Sequence, residues 1–128
     1  MSNFLKSIDH PAVAAQDVDK LADWYCNVLG YEKYYRDDKP VWMLKAPDAS
    51  LIEIMPIDET PRPARTTWTP GWSHLALRVN NIDQAIQELD KHHVQWMGEM
   101  VEAIGGGKVR SFQDPEGNML QVVERIFM

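Results

Sequence analysis

The chain has 128 residues, 45% apolar and 25% charged, enough for one domain with its own core and no need of staples. A formal charge of −6 argues against a nucleic-acid partner, which calls for a basic stripe, and no run approaches the ~20 apolar residues of a membrane span. The lone Cys26 rules out an internal disulfide and fits a reducing compartment; Met-Ser-Asn-Phe-Leu-Lys lacks the features of a signal peptide, so a cytoplasmic address is expected.

In chain order, Ile8 to Ala15 is short, apolar and β-like. Asp17 or Asp19 can cap a helix start through a short carboxylate. Val18, Leu21, Trp24, Tyr25, Val28 and Leu29 then recur at three- and four-residue steps, one face of a helix. Gly30 stands where a left-handed cap is wanted. Tyr31–Arg36, Val41–Ala46 and Leu51–Pro56 read as strands, joined by Asp37-Asp38-Lys39-Pro40 and Pro47-Asp48-Ala49-Ser50 as turns. A Pro-rich stretch without periodicity reads as a linker. His74–Val79 is again strand-like, and Ile82, Ala85, Ile86 and Leu89 mark a second helix face. Strands near Val94–Ile104, Lys108–Gln113 and Met119–Arg125 complete a second βαβββ unit.

The two units are copies. His10-Pro11-Ala12-Val13-Ala14 aligns with His74-Leu75-Ala76-Leu77-Arg78 at an offset of 64 residues, and Ala46-Pro47-Asp48 through Ile54 aligns with Asp114-Pro115-Glu116 through Val122 at an offset of 68. Each half therefore opens on a histidine and closes on a polar side chain set between apolar ones: Glu53 in the first, Gln121 in the second. Strand alternation puts His74, Ala76 and Arg78 on one face and Leu75, Leu77 and Val79 on the other, towards the helix. His10, Ala12 and Ala14 share a face in the same way, and the small alanines leave volume beside each histidine. The expected class is α+β, with tandem βαβββ repeats forming an open, curved β-sheet barrel around a cavity and helices outside. The domain is single, residues 1–128, with repeats over 5–56 and 73–126 and a linker over 57–72. Two packed halves would bring two histidines, a glutamate and a glutamine towards one place, a metal-site composition.

The opening Ile8-Asp9-His10, the helix ending Trp24-Tyr25-Cys26-Asn27-Val28-Leu29-Gly30, the second opening Ser73-His74-Leu75-Ala76-Leu77-Arg78-Val79 and the closing Phe112-Gln113-Asp114-Pro115-Glu116-Gly117-Asn118-Met119-Leu120-Gln121 together resemble the vicinal oxygen chelate superfamily. That superfamily includes glyoxalase I, methylmalonyl-CoA epimerase, fosfomycin-resistance transferases, extradiol dioxygenases and bleomycin-binding proteins. The resemblance covers nearly the whole chain outside the linker and is far more specific for the fold than for the reaction. It implies metal ligands from the first and last strands of each half, which here are His10, Glu53, His74 and Gln121. Many members have glutamate at the last position. Glu124 is no substitute, because it lies three residues on and alternates to the opposite face.

Glutamine ligates through its amide oxygen but takes no proton at neutral pH, which leaves Glu53 as the candidate catalytic carboxylate. Two imidazoles, one carboxylate and one amide suit one divalent transition ion such as Zn, Ni, Co, Mn or Fe, with a net charge that favours an anionic chelate. The resemblance thus implies a glyoxalase-like lyase or isomerase acting on a small metabolite or xenobiotic with two adjacent oxygens. The alternatives are extradiol-dioxygenase-like or thiol-transferase chemistry, disfavoured by Gln121, and a non-catalytic drug-binding or resistance protein, disfavoured by the histidine pair. Relatives commonly dimerise, and sheet edges with the apolar tail Ile126-Phe127-Met128 imply a homodimer.

The remaining candidates are weaker. Arg78 either binds a substrate carboxylate or sits at the sheet rim. Arg110 reads as a solvated strand residue and Cys26 as packing. His92 and His93 are adjacent on a helix end and cannot aim at one ion. Gly105-Gly106-Gly107-Lys108 lacks phosphate-loop spacing and reads as a hairpin turn. Trp68 and Trp72 either wall a pocket or anchor the linker.

Overall fold

The computed structural model describes residues 3–36 and 38–126 and divides into two compact units, Met1–Thr60 and Pro61–Met128. In the first, β1 (Ala12–Ala15) leads into α1 (Val18–Leu29), followed by β2 (Glu32–Tyr35), β3 (Trp42–Lys45) and β4 (Leu51–Pro56). The helix begins where Asp17, with extended backbone, accepts the Lys20 N–H at 3.0 Å, satisfying one of the four amides that a helix start leaves free. It ends at Gly30, φ 79°, where the Gly30 and Tyr31 amides return to the Cys26 and Tyr25 carbonyls. Val18, Leu21, Ala22 and Tyr25 are buried, and α1 lies against β3 and β4, whose Leu44, Ile52 and Ile54 are buried as well. Burial of each large apolar side chain contributes about 1.5–3 kcal/mol, so this contact, more than helix propensity, fixes α1 in place.

The sheet runs β1-β4-β3-β2, with β1 parallel to β4 and the other pairs antiparallel. Its register pairs Ala12 with Glu53, Glu53 with Met43, and Met43 with Tyr35. These four residues form one row across all four strands. The ladder shifts between Lys33 and Tyr35, and this irregularity turns Tyr35 to the Met43 side while Lys33 pairs with Leu44. The first strand is shorter than expected, because Pro11 has no N–H to give a ladder. The Pro11 carbonyl still accepts the Glu53 N–H at 3.0 Å, so His10 sits just ahead of β1.

The second unit contains β5 (Leu75–Arg78), α2 (Ile82–Asp90), β6 (Gln95–Trp96), β7 (Val101–Glu102), β8 (Lys108–Gln113) and β9 (Met119–Glu124). Its sheet runs β5-β9-β8-β6, with β7 also on β8. Asn81, at the repeat position of Asp17, caps α2 by accepting the Gln84 N–H at 2.9 Å, and Glu124 Oε1 accepts the Ile82 N–H at 2.8 Å. Ile82, Leu89, Phe112, Leu120 and Val122 are buried. The α+β expectation holds, with βαβββ order in the first unit and βαββββ in the second, where the expected second strand is split, and neither sheet closes on itself.

Three details differ from the sequence reading. The strand expected over 94–104 is two short pieces, interrupted where Arg110 Nε donates to the Gly98 carbonyl at 2.9 Å. Arg110 is therefore packed rather than solvated, its guanidinium 4.1 Å from the Trp96 ring and its side chain only 17% exposed. Residues beyond Pro61 in the expected linker are organised by two arginines. Arg65 donates to the carbonyls of Thr69, Pro70 and Trp72, and Arg62 to Glu116, Gly117 and the Asn118 side chain. Trp68 and Trp72 are 89% and 97% exposed, so neither anchors this segment by burial. The glycine run is the expected turn: the Gly106 amide bonds to the Ala103 carbonyl, and a Cβ on Gly107 would lie 1.9 Å from the Glu124 carbonyl oxygen. No helix among the described residues is long and apolar enough to cross a membrane.

Candidate functional site

In the first unit, His10 is held at both ring nitrogens. Nδ1 lies 2.7 Å from Asp9 Oδ2, and Nε2 lies 2.9 Å from Glu53 Oε2. The Glu53 backbone is pinned by Pro11 on one side and by Met43 in the ladder on the other, which is why the two side chains meet. His10 and Glu53 are about a third and a quarter exposed. The Asp9 hydrogen bond, chiefly, raises the His10 pKa; partial burial opposes it and Glu53 adds to it. An imidazole nitrogen beside a carboxylate oxygen is the donor chemistry of a borderline divalent ion. A carboxylate on the far ring nitrogen is the usual support of a ligating imidazole, because it fixes the tautomer and increases basicity.

The second unit repeats the frame with different chemistry. Ala76 pairs with Gln121 as Ala12 pairs with Glu53, so His74 and His10 each stand two residues ahead of the equivalent rung. His74 is exposed, its Nδ1 2.9 Å from Ser73 Oγ. Gln121 is half-buried and donates from Nε2 to Ser111 Oγ at 3.2 Å, which leaves the amide oxygen Oε1 as the atom to face a cation. Glu124 is on the helix side, occupied with the start of α2. Arg78 is exposed and pairs with Val123, one rung pair beyond Ala76 on the same face.

Each unit thus carries one imidazole and one oxygen donor, and by donor chemistry these residues fit a divalent ion. Among the described residues, no three His, Cys, Asp or Glu side chains are grouped so as to hold one. His92 and His93 are exposed beyond α2. Burial raises the Cys26 thiol pKa, as expected of packing rather than reactivity.

The first unit also has a pocket of about 250 Å³ lined by Tyr35, Lys39, Val41, Met43 and Glu53. Glu53 is therefore both the partner of His10 and a pocket wall. Apart from Glu53, none of these residues stood out in the sequence. Lys39 read as a turn residue, and Tyr35 faces the pocket through a ladder irregularity that no residue pattern announces. Asp9 and Ser111, which hold His10 and Gln121, were equally inconspicuous; for Asp9 the signal was its place beside the histidine.

Comparison with known proteins agrees with this architecture. Residues 7–122 match the model of the Glyoxalase/Bleomycin resistance protein/Dioxygenase superfamily. The uncharacterized protein YaeR of Escherichia coli is 30% identical over 127 residues, covering 94% of this chain and 98% of YaeR. The uncharacterized YwkD of Bacillus subtilis is 28% identical, with the same coverage of both chains. Among solved structures, a superfamily member from Sphaerobacter thermophilus aligns with a TM-score of 0.77 at 20% identity, over 96% of this chain and 100% of the other. Lactoylglutathione lyase from Agrobacterium tumefaciens aligns with a TM-score of 0.72 at 18% identity, over 95% and 96%; at such identities the likeness is one of fold. The duplicated units, the paired registers and the family match make this chain a member of the glyoxalase/bleomycin resistance/dioxygenase superfamily.

Proposed function

We propose that this protein is a metal-dependent, glyoxalase-like lyase or isomerase acting on a small molecule with two adjacent oxygens. The observation that carries the reading is the 2.9 Å approach of His10 Nε2 to Glu53 Oε2, with Glu53 also lining the pocket. Members of the superfamily typically use a divalent metal, and His10, Glu53, His74 and Gln121 are the residues that would hold one Zn, Ni, Co, Mn or Fe ion. A bound ion supplies Lewis-acid polarisation of the substrate oxygens.

The chain's own residues divide the remaining work. Glu53 is the carboxylate at the pocket wall and moves a proton to or from the substrate carbon beside the carbonyl. Gln121 cannot take that proton; held by Ser111, it orients. Asp9 keeps the His10 ring in place. Val41 and Met43 supply apolar lining to the pocket. Arg78 is the candidate for a substrate carboxylate at the other repeat. The working form is a cytoplasmic homodimer whose partners are small molecules.

The test is turnover on a panel of hemithioacetals and other adjacent-oxygen compounds, with wild type, Glu53→Gln and Gln121→Glu loaded with several metals. Loss of a general base costs about 10²–10⁴-fold, so Glu53→Gln should lose at least a hundredfold while retaining some ion. Gln121→Glu should bind the ion more tightly through its added charge. Full rate in Glu53→Gln would overturn the assignment, and a metal-loaded wild type inactive across the panel would favour the dioxygenase or binding readings instead.

A further inference from the structure

We propose that Tyr35 is a specificity-determining residue, and that the group carried beside the substrate's adjacent oxygens is compact and apolar, packed against Tyr35, Met43 and Val41. This rests on the functional reading above, which puts the reacting oxygens at Glu53. The row Glu53, Met43, Tyr35 crosses three neighbouring strands, β4, β3 and β2, and all three residues line the pocket. Two strand spacings separate Glu53 from Tyr35, roughly 10 Å, enough for oxygens at one end and a substituent at the other.

The row changes chemistry along its length. Glu53 brings a carboxylate, bonded to His10. Beyond it come the Met43 thioether and the Tyr35 ring, with Val41 also in the lining. Lys39, which lines the pocket too, is already engaged within the protein and is given no role. A thioether and an aromatic ring offer a good contact surface to an apolar group. Met43 and Val41 are half-buried and Tyr35 is 59% exposed, so covering them removes apolar surface from water. The pocket, about 250 Å³, is below the roughly 300–1,000 Å³ of drug-sized sites, which suits a branched alkyl chain or a single phenyl ring.

Tyr35 holds this place because of the backbone. Continued regularly from Lys33 and Leu44, the β2–β3 ladder would set Tyr34 opposite Met43; the shift between Lys33 and Tyr35 sets Tyr35 there instead. The two tyrosines are equally exposed, 59% each, but their surroundings differ. The Lys45 ammonium lies 4.8 Å from the centre of the Tyr34 ring, whereas Tyr35 lines the pocket. Tyr34 is therefore a built-in control for Tyr35.

The experiment is calorimetric binding of two neutral probes to the metal-loaded protein. Both have the same adjacent hydroxyl and ketone oxygens: 1-hydroxypropan-2-one carries a methyl group and 2-hydroxyacetophenone a phenyl ring. The phenyl probe should bind about tenfold more tightly, from the extra apolar surface it covers. Tyr35→Ala should cut that preference to about threefold or less. Tyr35→Phe, which keeps the ring, should preserve it, and Tyr34→Ala should leave it unchanged. Equal affinities in wild type, binding of neither probe, a preference that survives Tyr35→Ala, or one that falls as far in Tyr34→Ala, overturns the proposal. Removing the ion tests the underlying reading separately. Both probes should then weaken by the same factor; if neither does while Tyr35→Ala still cuts the preference, the metal reading fails and the apolar subsite stands.

Discussion

His10 is bonded to a carboxylate through each ring nitrogen, and the pH behaviour of the site starts there. The Asp9 hydrogen bond, more than Glu53, raises its pKa above the ordinary imidazole value. A raised folded-state pKa means that these contacts stabilise the fold fully below the pKa of the unfolded chain, and that this contribution is lost as pH rises through the folded value. In ion-free protein, NMR titration should place the His10 midpoint above the ordinary value, and Asp9→Asn should bring it down. An unchanged midpoint in Asp9→Asn would remove Asp9 as the cause. At this scale the sequence was partly legible. Strand alternation and the internal copy were enough to single out His10, Glu53, His74 and Gln121. Asp9, Ser111 and Lys39 were hidden because their positions depend on rotamers and loop geometry, which have no period.

At the level of elements, the two copies solve the same turn differently. In the second unit Gly117 takes φ 84°, with buried Asp114 accepting from the Glu116 and Asn118 amides. In the first, the equivalent residue is Ala49 at φ 72°, with Asp48 accepting from the Ser50 amide. An L-residue with a Cβ costs roughly 1–2 kcal/mol in that conformation, partly offset by the lower chain entropy of alanine. Ala49→Gly should therefore raise stability by about 0.5–1 kcal/mol in urea unfolding; a loss of stability would show that the turn carries no such strain. Helix bounds were readable because caps and apolar spacing coincide at Asp17, Gly30 and Asn81. The interruption between β6 and β7 was not, since it depends on Arg110 reaching a carbonyl twelve residues away.

At the level of the whole molecule, each unit leaves open sheet edges, β1 and β2 in one and β5 and β6 in the other. The β2 edge exposes Tyr34 and Tyr35, each 59% accessible, and Ile126 is 78% accessible; Phe127 and Met128, the rest of the expected apolar tail, lie outside the described residues. Exposed edges of this kind call for cover, which the homodimer we propose would supply. Light scattering at micromolar concentration should give twice the 14.7 kDa chain mass; a value at the chain mass itself would contradict the assembly. The repeat made the two-unit architecture legible before any coordinates, because a duplicated pattern constrains the fold more strongly than any single motif.

The proposed function has His10, Glu53, His74 and Gln121 holding one divalent ion. Its most direct test is the metal content of protein purified without a metal-affinity tag, reloaded mildly with Zn, Ni, Co, Mn or Fe and measured by mass spectrometry. Wild type should retain about one ion per chain, and the His10→Ala/His74→Ala variant should lose it while remaining folded by circular dichroism. A wild type that retains no ion, or a double variant that retains as much as wild type, would contradict the claim.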